Sequence, residues 1–201
     1  QNSYFSSNII QTAQSVISLR NVNTIIFTGL HIYDNKFHLS GGCIHLRQCL
    51  YAYINNSLII NNIVGHSGGA IYLHTGIQVN IINCKIYGNK ASRHGGGFYI
   101  NNMQNITIVN SSVVNNIAGI HGGGIYLLNI VSTQIIVCKI SQNKARSGGA
   151  IYGFHTHHIV IVKSNINSNT VQQQGGGLLL HKLQILFNIH CYYVRNKGMY
   201  L

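Results

Sequence analysis

Short apolar runs alternate with glycine and asparagine along the whole chain, and the alternation keeps one fixed interval. Six glycine pairs or triplets are spaced 27, 27, 27, 26 and 27 residues apart, and they begin at Gly41, Gly68, Gly95, Gly122, Gly148 and Gly175. Each leads into an apolar run, such as GGAIYL at 68–73. A fixed period of about 20 to 50 residues is typical of repeat proteins.

A second landmark is an apolar or aromatic residue three positions before an asparagine. It occurs eight times in one register, and its asparagines are Asn8, Asn35, Asn62, Asn89, Asn116, Asn143, Asn169 and Asn196. A further β-rich run, such as ITIV at 106–109, lies between each glycine run and the next asparagine. Runs this short, rich in Ile, Val and Tyr and without a helical period, predict three short strands per repeat.

We therefore predict an all-β fold, a right-handed single-stranded parallel β-helix of about seven 27-residue coils. The coils start near residues 5, 32, 59, 86, 113, 140 and 166, and a partial coil starts at 193. Residues 1–201 are expected to form a single β-helix domain or a fragment of a longer one. The chain begins with Gln1 and ends inside a repeat, so a processed form or a fragment is expected.

Residues one period apart should lie above one another, about 4.8 Å apart, and form columns along the axis. The asparagine column is then predicted to be a structural ladder of side-chain amides at a turn. The six glycine positions are predicted to be turns that need a positive φ or close backbone approach. Alternation in the glycine strands places one tyrosine per coil outward, which predicts an exposed ladder and a possible binding face formed by Tyr72, Tyr99, Tyr126 and Tyr152.

Charge changes this interpretation little. The 13 Lys and Arg residues face one acid, Asp34, and the net charge is +12. The basic residues are scattered and form no long run, which favours a solvated surface over a nucleic-acid site. Columns such as Lys36, Lys90, Lys144 and Lys197 remain candidates for contact with anionic glycans or a receptor.

The scarcity of acids argues against enzymatic activity. Glycoside hydrolysis requires at least two carboxylates, and a calcium-dependent lyase needs several acidic ligands. With only Asp34 available, we predict that this segment is not an enzyme.

Cysteine and histidine do not indicate a metal or cofactor site. Cys84, Cys138 and Cys191 share a column in which Ser57, Ser111 and Ser164 alternate with them, so they lie too far apart for disulfides and are predicted to be free and buried. A bridge between Cys43 and Cys49 is left open, although free thiols are favoured. The histidines at 155, 157 and 158 have no Cys or acid nearby in the sequence, so no metal and no cofactor are predicted.

No window is long and apolar enough for a membrane span. Sequons place possible N-glycosylation at Asn55, Asn105 and Asn110, provided that the chain enters a secretory pathway. Chance occurrence in an Asn-rich chain explains them equally well.

The combination of GGA-type strands with an apolar-x-x-Asn motif resembles the repeats of polymorphic outer-membrane proteins of chlamydiae. GGAIYL at 68–73, GGAIYG at 148–153, GGGIYL at 122–127 and FSSN at 5–8 carry the resemblance, while most copies have Ile or Val in place of Phe. The resemblance covers nearly the whole chain and implies a pectin-lyase-like β-helix displayed outside the cell, secreted or on its surface.

Three functions remain open at this stage. The first is a non-enzymatic scaffold for adhesion or display. The second is a fibre built by end-to-end assembly of copies, and the third is a carbohydrate-binding module or an inactive relative of polysaccharide-degrading β-helix enzymes. The expected partners are therefore copies of the chain, glycans or a cell-surface receptor, and not nucleic acid.

Overall fold

The computed structural model describes residues 3–6, 9–10, 15–38 and 41–198, and these form 25 β-strands in three parallel sheets. Strands in successive coils pair in register one period apart, as in the pairing of Ile86 with Val113. The fold is therefore a parallel β-solenoid of about seven coils, which confirms the predicted fold class. Asn8 lies outside the described residues.

Sheet A contains the strand that precedes the asparagine turn. Its members are β1 (Ser3–Ser6), β5 (Leu30–Tyr33), β9 (Leu58–Ile60), β12 (Lys85–Tyr87), β15 (Ser112–Val114), β18 (Lys139–Ser141), β21 (Asn165–Asn167) and β25 (Tyr192–Val194). Sheet B contains the two-residue strand that follows this turn. Its members are β2 (Ile9–Ile10), β6 (Lys36–Phe37), β10 (Ile63–Val64), β13 (Lys90–Ala91), β16 (Ile117–Ala118), β19 (Lys144–Ala145) and β22 (Thr170–Val171).

Sheet C contains the glycine-led strand and the β-rich run after it. Its members are β3 (Ile17–Arg20), β4 (Thr24–Thr28), β7 (Ile44–Arg47), β8 (Tyr51–Asn55), β11 (Ile71–Ile82), β14 (Phe98–Val109), β17 (Ile125–Ile136), β20 (Ile151–Val162), β23 (Leu178–His181) and β24 (Ile185–Ile189). In β11, β14, β17 and β20 the two predicted short strands join into one strand of 12 residues. The joined strand bends at a residue with positive φ, such as Thr75 at 63°.

The core lies inside the solenoid, where inward positions of all three sheets meet. Alternation along each strand sends every second side chain inward, and Ile86, Ile100, Ile125 and Ile161 are fully buried. The small inward column after the asparagine turn is buried as well, including Ala91. Apolar packing of this kind is the main favourable contribution to folding.

The asparagine turn is held by a continuous ladder. From Asn35 to Asn169, each side chain donates from Nδ2 to Oδ1 of the asparagine in the next coil, at 2.9–3.1 Å. The same Oδ1 accepts the preceding coil's asparagine backbone N–H, at 2.9–3.0 Å. Nδ2 of Asn116 also donates to the carbonyl of Ile86 at 3.0 Å. The side chains from Asn35 to Asn169 are buried, so the ladder satisfies polar groups that water cannot reach.

The glycine turn needs two different properties of glycine. The first glycine of each group has a positive φ, between 65° and 113°. The second allows close backbone approach, since a Cβ on Gly96 would lie 2.4 Å from the carbonyl oxygen of Gly123 and 2.6 Å from the backbone N of Ile117. Both properties match the predicted role of these turns.

All described residues with a positive φ fall into four axial columns, one of which is the glycine column. The other three contain mostly Asn, Gln and similar polar residues, but Val137 has a φ of 53°. These left-handed positions recur once per coil, so they are corners of the repeat. Sequence reasoning identified the glycine corner and the asparagine turn, whose positive-φ column includes Asp34 and Asn115, but it missed the other two corners.

The described part of the chain contains no helix that is long and apolar enough to cross a membrane.

Candidate functional site

The tyrosines of the glycine-led strands stack along the outside of sheet C. Ring centroids lie 4.7 Å apart for Tyr72 and Tyr99, 5.2 Å for Tyr99 and Tyr126, and 5.3 Å for Tyr126 and Tyr152. Their planes are within 12° of parallel. The sheet brings the four predicted residues together because they occupy one in-register column.

The prediction that this ladder is exposed is wrong for Tyr126, which is only 8% exposed, and the other three rings are partly buried. Histidines from the turn before the glycines pack on two of the rings, Tyr126 and Tyr152. The ring centroids of His94 and Tyr126 lie 4.8 Å apart, and those of His121 and Tyr152 lie 4.4 Å apart. The tyrosine–histidine face therefore presents ring edges and histidines to solvent.

Burial on this face shifts the pKa values of its side chains. Burial, helped by the nearby His121 and Arg93, lowers the pKa of His94 to about 4. Burial and the adjacent tyrosines raise the pKa of Tyr99 to about 12. Near neutral pH the histidines and tyrosines of this face are therefore uncharged, and the flanking arginines carry its charge.

The predicted lysine column lies on the outer side of sheet B. Lys36, Lys90, Lys144 and Lys197 are all exposed. Ile63 pairs with both Lys36 and Lys90 in register, so an exposed isoleucine separates two lysines of the column. The backbone at these positions is fixed by bonds to the asparagine turn, such as the Lys144 N–H donated to the carbonyl of Asn116 at 2.9 Å.

A groove of about 380 Å³ opens beside Lys144 of this column. It lies where the turn between Ala145 and Ser147 is one residue shorter than the turn below it, because Gly119 has no counterpart there. Lys144 and Arg146 line one side, and Ile117 and Val171 contribute apolar surface. The groove thus combines two cations with a small apolar floor.

A second groove of about 350 Å³ lies beside the predicted histidine cluster and is lined by His155, His157 and Lys182 among others. His158 lies in the same strand, at an exposed position. Among the described residues, no three His, Cys, Asp or Glu side chains come close enough to hold a metal ion.

All five cysteines are free, including Cys43 and Cys49, for which a bridge was left open. Cys84 and Cys138 are buried, and Cys191 is partly exposed in the last described coil. Burial raises the pKa of the Cys84 thiol to about 11. Its Sγ donates to the carbonyl of Ile82 at 3.3 Å, as Ser111 Oγ does to Val109 at 2.8 Å, so Cys and Ser perform the same structural task.

The three sequon asparagines differ in accessibility. Asn105 is exposed on a long strand of sheet C. Asn110 is exposed, but its Nδ2 donates to Oδ1 of Asn83 at 2.8 Å. Asn83 Nδ2 donates in turn to Oδ1 of Asn56 at 3.1 Å, so an outer ladder of three asparagines runs here that sequence reasoning missed. The sequon of Asn55 includes Ser57, which is fully buried. Asn105 is therefore the best placed of the three for a glycan.

Comparison with known families gives one finding. Residues 1–124, more than half of the chain, match the sequence model of the family described as "Right handed beta helix region". A search among curated proteins found no significant match.

Proposed function

The chain belongs to the right-handed β-helix family, and on this premise we propose that it is a non-enzymatic extracellular scaffold that displays side chains to a partner. The observation that supports the proposal is that inward and outward side chains have different roles. Inward positions are occupied by apolar packing and by the asparagine ladder. Outward positions place Lys and Arg in exposed axial columns that a partner can reach, and Tyr and His in columns that are mostly partly exposed.

The absence of enzymatic activity in this proposal rests on the scarcity of acids. Asp34 is the one acidic residue in the sequence. It is exposed, at a corner where its φ is 57°. Polysaccharide cleavage by a pair of carboxylates needs a second carboxylate side chain, and this sequence has none.

The extracellular location rests on the resemblance to polymorphic outer-membrane protein repeats. In that class the β-helix is displayed outside the cell and is often adhesive. The accessible sequon at Asn105 is compatible with that location.

Assembly into a fibre is a second form of the scaffold role. In the last described coil, residues of the inward columns are partly uncovered, with Leu186 38% and Tyr193 39% exposed. Their equivalents one coil below, Ile159 and Ile166, are fully buried. This edge can accept a further coil of the same chain or a coil of another copy.

A carbohydrate-binding module is a second candidate function, favoured by the tyrosine ladder. Neighbouring rings of the four-membered stack lie at most 5.3 Å apart, and Tyr72, Tyr99 and Tyr152 are partly exposed. Aromatic residues with one polar end are well suited to a partner that is partly apolar and partly hydrated.

The test combines imaging with an assay for cleavage. We expect electron microscopy of the purified chain to show rods of about 34 Å for seven coils at the strand spacing. We expect no new reducing ends or unsaturated products from anionic or neutral polysaccharides. Products that accumulate with time and disappear in the variant Asp34→Asn would overturn the non-enzymatic proposal, whereas filaments would favour the fibre form.

A further inference from the structure

On the outer surface of sheets A and B, a coil with several basic residues is followed by a coil with neutral residues at the equivalent positions. Lys85, Lys90 and Arg93 lie on one coil, and all three are exposed; we call them the first basic row. The second basic row lies two coils further on and consists of the exposed residues Lys139, Lys144 and Arg146. Between them lies the neutral row, formed by Ser112, Ile117 and Ile120.

The interior follows the same two-coil alternation. Cys84 and Cys138 belong to the coils of the basic rows, while Ser111 belongs to the coil of the neutral row. The Cys84 and Cys138 backbone N–H groups donate to the hydroxyl oxygens of Ser111 and Ser164, at 3.0 Å each. Between Cys84 and Ser164 the solenoid therefore repeats as pairs of coils, and each of these two pairs presents one basic row.

Electrostatic repulsion between cations of neighbouring coils explains only part of the alternation of basic and neutral rows. Two coils separate the rows by about 9.6 Å, close to the Debye length in physiological salt. Staggering, with Lys85 and Lys90 on different coils, would keep charges apart equally well. Instead the three cations of each row share one coil, which produces a regular array of positive bands with a partly apolar band between them.

We propose that this basic face binds a linear polysaccharide that lies along the solenoid axis and carries an acidic group on alternate sugars. This inference rests on the proposed function and names the partner of the scaffold. In each basic row the lysine of sheet B and the arginine of the following turn contact one carboxylate or sulfate, as the shared groove of Lys144 and Arg146 allows. The uncharged sugar between the two anions lies on Ile117. That residue is 36% exposed and presents an apolar surface to the C–H groups of a sugar ring.

The arginines of the rows are positioned by neighbouring coils. Arg93 Nη1 lies 2.9 Å from Nε2 of His66. Gln173, with its amide oriented to satisfy both neighbours, accepts from Arg146 Nε at 3.1 Å and Nη2 at 3.2 Å. A guanidinium held in place loses less conformational entropy when it binds an anion.

The groove beside Lys144 and Arg146 gives the polysaccharide a defined seat. Its volume of about 380 Å³ is within the range of small-ligand sites, roughly 300–1,000 Å³. Ile117 of the neutral row and two cations of the second basic row line the same groove. One acidic sugar and one neutral sugar can therefore contact the protein there together.

The row spacing also distinguishes this ligand from nucleic acid. Duplex DNA carries one charge per roughly 1.7 Å of axis. Those charges are spread evenly along the duplex axis, whereas the cations of this face are grouped in rows about 9.6 Å apart. A polymer with one acid on every second sugar matches the rows more closely.

The test measures binding of two size-matched probes to the chain at low and at high ionic strength. Hyaluronan oligosaccharides carry a carboxylate on alternate sugars, and polygalacturonate carries one on every sugar. We expect tighter binding of hyaluronan, with salt weakening it. The double variant Lys90→Gln with Lys144→Gln should lose roughly tenfold in affinity, the size expected from two exposed ion pairs.

The matched control is Lys163→Gln with Lys182→Gln, which removes the same charge at exposed positions that belong to neither basic row and do not line the groove of Lys144. We expect less than about a twofold effect from it. A second variant, Ile117→Lys, adds charge to the neutral row and should improve binding of polygalacturonate relative to hyaluronan.

Three results would overturn the inference: no binding of hyaluronan at low ionic strength, equal losses in the two double variants, or stronger binding of polygalacturonate by the unmodified chain. Duplex DNA is measured as a third probe, and stronger binding of DNA than of hyaluronan would overturn it as well. None of them bears on whether the chain cleaves polysaccharide or forms rods. Failure of this inference is thus distinguishable from failure of the proposed scaffold function.

Discussion

Removal of one rung from the asparagine ladder should destabilise the whole solenoid. Asn116 is fully buried, and its side chain makes four hydrogen bonds. In Asn116→Ala, the backbone N–H of Asn89 and one Nδ2–H of the same residue lose their acceptor. Each buried donor left without a partner costs about 1–3 kcal/mol. Together with the cavity, we expect a loss of about 3–5 kcal/mol in the free energy of unfolding.

The assay is equilibrium unfolding in urea followed by circular dichroism. Repeat proteins can unfold in stages, so the transition should be compared at two wavelengths before a single free energy is extracted. The matched control is Asn105→Ala, at an exposed position on sheet C, which we expect to change stability by less than about 0.5 kcal/mol.

Asn116→Asp separates hydrogen bonding from side-chain volume. The carboxylate keeps an acceptor oxygen but cannot donate to Ile86 or to Asn143. Burial raises the pKa of such a carboxyl group, so stability should recover as pH falls and be lost as pH rises through that pKa. A loss below about 1 kcal/mol in Asn116→Ala, or no difference from the exposed control, would refute the ladder as a principal source of stability.

Three further predictions concern Val137, a pair of glycines and His94. Val137→Asn should stabilise the chain by about 1 kcal/mol, seen as a higher melting temperature, because a β-branched residue is strained at a φ of 53°. Gly96→Ala should cost about 3 kcal/mol or more in urea unfolding, since its Cβ would overlap backbone atoms. Gly153→Ala should change stability by about 1 kcal/mol or less, because the nearest atoms belong to side chains. Stability should fall as pH drops below about 6.5, because unfolding releases His94 from burial and the unfolded chain then binds the proton more readily.

The contribution of His94 to the pH dependence of stability can be estimated from its pKa and tested with one variant. A pKa lowered from 6.5 to about 4 would correspond to about 3 kcal/mol for a fully shielded ring. His94 is only partly shielded, so we expect about 1–2 kcal/mol between pH 7 and pH 4. His94→Gln should reduce this dependence by that amount, and an unchanged pH profile would contradict the assignment. A lower melting temperature for Val137→Asn, or equal costs for the two glycine variants, would contradict the other two predictions.

The repeat could be predicted from sequence because glycine and asparagine recur at positions where few other residues serve. Gly96 has no space for a Cβ, and Asn116 bonds to residues in both neighbouring coils, so their spacing reveals the coil directly. The other corners left a weaker signal. Thr75 and Val137 adopt a left-handed backbone because the solenoid imposes it, and their residue types do not indicate it.

The exposure of the tyrosine ladder could not be predicted by alternation alone. Alternation correctly places Tyr126 outside the sheet, but it says nothing about His94, which reaches the ring from a turn that follows a different strand. For the basic rows, the residues could be found in the sequence but their alignment along the solenoid could not. Lys85, Lys90 and Arg93 are visible in the sequence, yet their common phase emerges only when Ser112 and Ile117 are aligned above them.

The coil with one residue fewer shows where this architecture tolerates a change in length. Between Ala145 and Ser147 the chain omits the counterpart of Gly119, yet Ile125 and Ile151 still pair in register immediately afterwards. The shortening is confined to the turn between sheets B and C and does not propagate. The same turn in other coils, around Gly65 or Ser92, is therefore a site for grafting peptide loops. Loops inserted in successive coils would be presented along the axis at the regular spacing of the coils.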